Sequence, residues 1–193
     1  ADAVGVLNLL EVVRVASPDT RIYQAGSSEM FGNECDKDGF RRETTLMRPV
    51  SPYGCAKLYA YNVARVYRSS YDMFISNGIL FNHESPRRGI NFVTNKIVDG
   101  AVKIKKGLQK TLALGNLEAT RDWGHAKDYV RAMWLMLQHD TPDDFVCATG
   151  KSHSVRELCD LVFSLLNLDY REYVTISPEY YRPTELNDLK GDC

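Results

Sequence analysis

The sequence contains no apolar run that approaches the roughly 18 residues needed for a membrane-spanning helix. Its first ten residues, ADAVGVLNLL, lack the basic flank that precedes the apolar region of a signal peptide. Charges nearly cancel, with 24 lysines and arginines against 25 aspartates and glutamates, and no long run carries one sign. We therefore expect neither a membrane nor a nucleic acid as a partner.

Paired cysteines are also absent. A disulfide framework or a structural zinc site needs cysteines or histidines at recurring short spacings, and the chain has no CxxC. The five cysteines are scattered: Cys35, Cys55, Cys147, Cys159 and Cys193. This pattern predicts a reduced, cytoplasmic protein without a metal site.

A glycine-rich motif for binding a dinucleotide is also absent. None of the thirteen glycines falls into GxGxxG or GxxGxxG, the turn that lets a backbone approach the pyrophosphate of a dinucleotide. Two interpretations follow: the fold binds no dinucleotide, or the part that binds it is missing from this chain.

Helix and strand patterns alternate along the 193 residues. Apolar residues at helical spacing predict helices at 126–137 and 155–166, the second preceded by Ser154 and Glu157 as a capping box. Other helices are predicted at 3–16, 53–68 and 92–106, and strands at 21–25, 74–80, 111–114 and 144–149. This alternation predicts an α/β fold with a mainly parallel sheet covered on both faces, within one domain or part of one.

The stretch SPYGCAKLYAY at 51–61 places Tyr53 four residues before Lys57 on a predicted helix. Residues at this spacing share one helix face, so the ammonium can reach toward the phenol oxygen. A nearby cation favours the phenolate form of a phenol, and Tyr53 can then accept a proton from an alcohol. With eleven tyrosines in the chain, such a pair is common by chance. The neighbouring residues must therefore show whether Tyr53 and Lys57 form a catalytic pair.

Upstream, Ser27 and Glu29 follow a predicted strand in the stretch YQAGSSEMFG. In an extended chain, residues two apart turn their side chains the same way. Ligand sites in parallel sheets gather at the carboxyl ends of strands. We therefore expect a hydroxyl, a carboxylate and the Tyr/Lys pair to meet there.

Each of these residues has an ordinary structural alternative when taken singly. Tyr53 fits a helix surface or core position, Glu29 a solvated loop and Ser27 a turn. The arginines fit surface ion pairs. The order of these residues along the chain is stronger evidence for an active site than any one of them alone.

A strand, then S-S-E, a polar loop and YxxxK at the start of a helix resemble the active-site order of extended short-chain dehydrogenase/reductases. Three longer stretches, together with SPYGCAKLYAY, are similar to segments of the GDP-mannose 4,6-dehydratase family: GILFNHESPRRG at 78–89, RDWGHAKDYV at 121–130 and YYRPTE at 180–185. The resemblance covers essentially the whole chain. It implies a partial Rossmann-like, doubly wound parallel sheet with a smaller substrate-binding portion.

The resemblance also implies roles for individual residues. Ser27 matches the hydroxyl that binds the sugar, Glu29 the acid/base, and Tyr53 with Lys57 the catalytic pair. The NADP-contacting positions are Tyr53, Lys57, His83 and Arg88. The positions on the GDP-mannose side are Asn82, Lys96, Arg121, Arg182 and Glu185.

By the same resemblance, residues 1–90 are the C-terminal part of an NADP-binding domain. Residues 91–193 mainly bind the nucleotide sugar, with 125–149 returning to the first sheet. A glycine-rich NADP loop is expected before Ala1, and further helix after Cys193. The segment SPRRG resembles a loop with which family subunits touch a neighbour's cofactor, which predicts a homodimer or homotetramer at full length.

The predicted activity is the dehydration of GDP-D-mannose to GDP-4-dehydro-6-deoxy-D-mannose through an NADP-dependent internal hydride transfer, a lyase reaction. Two alternatives stay open at this point. The chain is a non-catalytic fragment that binds a nucleotide sugar without the NADP loop, or it belongs to a related sugar-nucleotide epimerase.

Overall fold

The structure is a computed structural model, and it describes residues 2–181, 184, 186 and 188–193. Its helices are α1 (Val4–Ala16), α2 (Pro52–Tyr71), α3 (Val93–Lys105), α4 (Ala126–Met136), α5 (Val155–Leu165) and α6 (Tyr170–Tyr173), with 3-10 helices at Ser28–Phe31 and Pro178–Tyr180. Its strands are β1 (Ile22–Ala25), β2 (Ile75–Leu80), β3 (Asn82–Glu84), β4 (Leu112–Leu114), β5 (Thr120–His125), β6 (Asp144–Cys147), β7 (Ser152–Ser154), β8 (Val174–Ile176) and β9 (Asp188–Leu189).

The first sheet has the order β1-β2-β6 and is parallel throughout. Helix α2 connects β1 to β2, and α4 leads into β6, so the predicted α/β alternation is confirmed. Every residue of β2 is buried, as expected for the central strand of a parallel sheet. The strands run in the same direction, so their carboxyl ends, including Ala25 and Leu80, open at one edge.

Helix α2 begins where the sequence carries strong start signals. Ser51 accepts a hydrogen bond from the backbone N–H of Gly54, and Pro52 occupies the first helical position. The helix ends at Tyr71, and the C-cap residue Asp72 adopts the left-handed conformation at φ 52°. It runs three residues beyond the predicted end at 68 because its last turn contacts α1, where the guanidinium carbon of Arg14 stands 4.9 Å from the centre of the Tyr71 ring.

A nearly buried carboxylate ties α2 to the first sheet. Asp144, at the start of β6, accepts hydrogen bonds from Tyr61 Oη at 2.8 Å and Asn77 Nδ2 at 2.9 Å. Arg68 Nη2 pairs with the same carboxylate at 3.0 Å, and the more exposed Arg65 Nε lies 3.4 Å away. Burial, together with the bond to Asp144, raises the pKa of Tyr61, so its phenol stays protonated as a donor. Side chains from α2, β2 and β6 thus converge on one group.

The outer edge of β6 is covered by an acidic side chain. The backbone N–H of Val146 points away from β2 and donates to Glu43 Oε1 at 2.6 Å. Glu43 lies in the long loop that connects the Ser28–Phe31 helix to α2. The loop therefore supplies the acceptor that another strand would have provided.

A second sheet is organised around β5, which no alternating pattern predicted. Its second half pairs with β3 in parallel, while its first half pairs with β7 in an antiparallel and with β9 in a parallel arrangement. Strands β4 and β8 form a separate parallel pair. The sheet prediction is thus confirmed as mainly parallel, with one antiparallel pair among the described strands. Strands of two or three residues such as β3 and β9 are too short to show a period of two.

The apolar core lies in two regions. Around the first sheet, Phe31, Ile79 and Phe81 pack against α2, with a smaller cluster between α1 and α2. In the second region, Ile97 and Ala101 of α3 pack against Cys159 and Phe163 of α5. Burial raises the pKa of the Cys159 thiol to about 11, so it behaves there as a small apolar side chain. No helix in the described part of the chain is long and apolar enough to cross a membrane.

We expect Asp144→Asn to lower the free energy of unfolding by about 1–3 kcal/mol, because Arg68 and the Asn77 amide lose a charged acceptor in a nearly buried site. Urea unfolding followed by circular dichroism measures the effect. Asp140→Asn, at an exposed position nearby, is the matched control and should change stability by less than about 0.5 kcal/mol. Equal midpoints for the two variants would show that the Asp144 network does not anchor α2.

Candidate active site

A cavity of about 570 Å³ opens at the carboxyl ends of β1 and β2. We call it the Tyr53 cavity. Its polar lining brings together most of the residues that the sequence singled out: Ser27, Glu29, Tyr53, Lys57, Asn82, His83, Arg88 and Arg121. These residues come from the turn after β1, the first two turns of α2, β3 with the loop that follows it, and β5 of the second sheet.

Tyr53 and Lys57 lie on the first two turns of α2, as the four-residue spacing predicts. The Lys57 ammonium stands 5.6 Å from the centre of the Tyr53 ring. Lys57 also donates to the carbonyl oxygen of Ala25 at 3.3 Å and pairs with Asp2 at 3.4 Å. Its side chain is 14% exposed, whereas Tyr53 is 45% exposed. The Lys57 ammonium is therefore held in place beside the Tyr53 ring, and Tyr53 itself remains accessible to a ligand.

Ser27 and Glu29 do not share an extended strand, so the geometric reason for expecting them side by side is wrong. Ser27 is extended, but it caps the Ser28–Phe31 helix, and its Oγ accepts from the backbone N–H of Glu29 at 3.2 Å. Glu29 therefore lies in the first turn of that helix. The two side chains still line the same cavity, because the turn begins directly at the end of β1.

Ser51 and Gly54, to which the sequence analysis assigned no role, connect the start of α2 to Glu29. Ser51 Oγ lies 2.9 Å from Glu29 Oε2 and also accepts from Gly54 N at 3.0 Å. A Cβ atom at Gly54 would lie 2.8 Å from the Glu29 carbonyl oxygen and 2.9 Å from Pro49 Cβ. The start of α2 thus packs directly on the backbone of Glu29. Serine followed by proline is a common helix start and could have marked Ser51 as a cap, whereas its contact with Glu29 leaves no signal in the sequence.

His83 lies on β3, directly after β2. Its Nδ1 is 2.8 Å from the carbonyl oxygen of Phe81, and its ring stacks on Tyr129 of α4 with centroids 4.7 Å apart. Burial raises the pKa of Tyr129, which keeps this phenol neutral. The imidazole is therefore held in one orientation at the wall of the Tyr53 cavity.

A second cavity of about 270 Å³ adjoins the first, and we call it the Lys96 cavity. Lys96 Nζ lies 3.5 Å above the centre of the Tyr180 ring, and Trp123 and Asn116 contribute further to the wall. Four residues line both cavities: Asn82, Arg88, Phe92 and Arg121. The two cavities therefore share a wall, and a single elongated ligand can extend along both.

Arg88 is held within this shared wall. Its guanidinium carbon stands 3.4 Å above the centre of the Phe92 ring, and its Nε lies 3.2 Å from Glu84 Oε2. Glu84 also accepts from Thr94 Oγ1 at 2.5 Å, and Asn95 Nδ2 donates to the Arg88 carbonyl oxygen. The loop that carries Arg88 is thereby tied to the first turn of α3.

Arg121 extends from β5 and donates to the carbonyl oxygens of Thr120 at 2.6 Å and Leu186 at 2.9 Å. These contacts place a guanidinium at the junction of the two cavities. The other two residues predicted on this side, Arg182 and Glu185, lie outside the described residues. Within the described ranges, no group of three or more histidine, cysteine, aspartate or glutamate side chains is arranged to hold a metal ion.

The family model for GDP-mannose 4,6 dehydratase matches residues 1–193. The chain belongs to this family. The dehydratase resemblance seen in the sequence is thereby confirmed.

The chain is 51% identical to GDP-mannose 4,6 dehydratase 1 of Arabidopsis thaliana, over 99% of this chain and 53% of that protein. It is 47% identical to the human GDP-mannose 4,6 dehydratase, over 100% of this chain and 56% of that protein. The chain thus spans about half the length of these dehydratases. Among solved structures, RMD from Pseudomonas aeruginosa, complexed with NADPH, superposes with a TM-score of 0.88 at 20% identity, covering 99% of this chain and 63% of that one. This likeness confirms the Rossmann-like fold.

We expect Gly54→Ala to destabilise this member of the dehydratase family by about 1–3 kcal/mol, although alanine favours helix, because its Cβ would overlap Glu29 and Pro49. Gly5→Ala is the matched control. Gly5 also lies in the first turn of a helix, α1, where an added Cβ would meet nothing within 4 Å. It should stabilise the protein by up to about 1 kcal/mol. Thermal unfolding of both variants measures the difference, and a stabilising Gly54→Ala would contradict the tight contact.

Proposed function

We propose that the complete protein is an NADP-dependent lyase that dehydrates GDP-D-mannose to GDP-4-dehydro-6-deoxy-D-mannose. The observation that carries this proposal is the Tyr53 cavity, where a tyrosine with its lysine, a glutamate and a serine hydroxyl face one space. The family membership and the shared wall with the Lys96 cavity support the same conclusion. Dehydration at C5 and C6 after oxidation at C4 needs two separate proton transfers, and this chain offers two separate acid/base groups.

Tyr53 is the proposed base for the first step. It accepts the proton of the C4 hydroxyl while the hydrogen at C4 leaves as hydride. The Lys57 ammonium, held by Ala25 and Asp2, stabilises negative charge on the phenol oxygen. Ser27 positions the sugar, because its Oγ already accepts from Glu29 N and its own hydrogen remains available to a sugar oxygen.

Glu29 is the proposed base for the second step. A ketone at C4 acidifies the hydrogen at C5, and Glu29 removes that proton. The same carboxyl group can then deliver a proton to the C6 hydroxyl, which leaves as water. Tyr53 and Glu29 lie on different elements, so each group can approach a different carbon of one bound sugar.

The Tyr53 cavity fits the nicotinamide end of the proposed cofactor. Lys57 offers an ammonium to ribose hydroxyls, and His83 and Arg88 line the remaining wall. When bound, NADP would supply the redox chemistry, taking up the hydride from C4 and giving it to C6, and a proton derived from solvent would then complete C5. The 193-residue sequence contains no GxGxxG or GxxGxxG motif for a pyrophosphate, and the proposal assigns that contact to residues outside this chain.

The Lys96 cavity suits the nucleotide end of the substrate. Arg88, Lys96 and Arg121 bring three cations to its wall, and phosphate oxygens are the groups that such donors bind best. Trp123, Phe92 and Tyr180 add aromatic surface. Arg182 and Glu185 stay assigned to this side by resemblance alone. Assembly as a homodimer or homotetramer and a cytoplasmic location also stay predictions, and analytical ultracentrifugation of the full-length protein tests the first.

Tyr53→Phe and Glu29→Gln, made in the full-length protein, separate the two steps. Each should lower turnover by about 100-fold or more, the usual scale for losing a positioned acid or base. Tyr53→Phe removes the acceptor for the C4 proton, so no reduced cofactor should appear. Glu29→Gln leaves that oxidation possible, so absorbance of bound reduced nicotinamide should accumulate and exchange of solvent deuterium into C5 should slow.

Tyr59→Phe and Glu34→Gln are matched controls at positions outside both cavities, and they should keep wild-type turnover. Normal turnover in Glu29→Gln would refute its role as the base. Accumulation of reduced cofactor in Tyr53→Phe, to the same level as in Glu29→Gln, would refute the order of the two steps.

A further inference from the structure

Ser51 contacts two parts of the candidate site at once. Its Oγ accepts a hydrogen bond from Gly54 N at 3.0 Å and lies 2.9 Å from Glu29 Oε2. A carboxylate carries no hydrogen, and the Gly54 bond already uses a lone pair of the hydroxyl. The Ser51 hydrogen must therefore point at the Glu29 carboxylate. This single hydroxyl caps α2 and donates to the glutamate in the same geometry.

The neighbouring backbone reinforces this arrangement. Gly54 packs so closely on Glu29 that a Cβ would lie 2.8 Å from the Glu29 carbonyl oxygen. The Glu29 N–H is held by Ser27 Oγ at 3.2 Å. The main chain of Glu29 is thus fixed from both sides, while the Ser51 hydroxyl acts on its carboxylate. Tyr53 follows two residues after Ser51, on the same turn of α2.

We propose that Ser51 is a positioning residue that orients the Glu29 carboxylate for proton removal at C5. It does so by donating a hydrogen bond to Glu29 Oε2. Because Ser51 also begins the turn that carries Tyr53, it holds the two acid/base groups at a fixed separation. This inference rests on the proposed function for its kinetic consequence. The orientation of Glu29 itself does not depend on that function.

The competing explanation is that Ser51 serves only as a helix cap. Replacing Ser51 with glycine distinguishes the positioning role from the capping role, because glycine is tolerated at the N-cap nearly as well as serine but has no hydroxyl. Ser51 has an extended backbone, at φ −135° and ψ 151°, which glycine adopts without strain. Threonine keeps both the cap and the donor. Asp169→Gly is the control, since Asp169 caps α6 through Arg171 N and lines neither cavity.

The kinetic experiment uses the full-length enzyme with GDP-mannose. Ser51→Gly should lower kcat by about 10-fold or more with little change in KM, and bound reduced nicotinamide should accumulate as in Glu29→Gln. Ser51→Thr should restore wild-type kcat, and Asp169→Gly should keep it. A wild-type kcat in Ser51→Gly would overturn the proposal. A lower kcat without accumulated reduced cofactor would also overturn it, because loss of the cap would then have acted through Tyr53.

Crystal structures of the wild type and of Ser51→Gly supply a readout that is independent of activity. We expect one Glu29 conformer in the wild type, in contact with Ser51, and a rotated or divided Glu29 side chain in the glycine variant. An unmoved Glu29 would overturn the positioning role even if the enzyme dehydrates GDP-mannose. Absence of dehydratase activity in the wild type would instead refute the proposed function, whatever the conformer.

Discussion

The attraction between the Asp144 carboxylate and the donors of α2 is the interaction on which the rest of the site depends. Tyr61 reaches it from the middle of the helix, Arg68 from its last turn, and Asn77 from the central strand. These contacts fix how far α2 lies along the sheet. The first two turns of the same helix carry Tyr53 and Lys57, so a network remote from the cavity determines the position of its reactive groups. A buried charge is suited to this role because its partners cannot shift without leaving it unpaired.

The main elements of the fold were predictable because their patterns are local. Helix α3, predicted at 92–106, spans Val93–Lys105, and the capping box of Ser154 with Glu157 is present at the start of α5. Strand β5 was not predictable, because its sequence TRDWGH is polar and does not alternate. Its strand geometry comes from hydrogen bonds to β3, β7 and β9, all distant in sequence. Pairing between remote segments leaves no trace in a short window of residues.

In the candidate site, too, local features were predictable from the sequence and contacts between distant residues were not. The Tyr53 and Lys57 pair was predictable, because a four-residue spacing on a helix fixes a shared face. The position of Glu29 was predicted for the wrong reason, since Ser27 draws the next residues into a turn rather than a strand. The contact between Ser51 and Glu29 joins residues 22 apart, and only the packing of α2 against the preceding turn brings them together. Side-chain identity was readable in the sequence, whereas orientation needed the tertiary structure.

The carboxylate of Glu43 on the outward N–H of Val146 has a consequence for how the first sheet can grow. A negative charge at that edge repels the carbonyl oxygens of any strand that approaches it, which discourages pairing with another molecule. On the opposite side, β1 pairs with β2 alone among the described strands. The two edges of the described sheet therefore differ: the β6 edge carries the Glu43 carboxylate, and the β1 edge has no paired strand among the described residues. An added strand would meet a negative charge at the β6 edge, whereas at the β1 edge it would meet no strand of the described part of the chain.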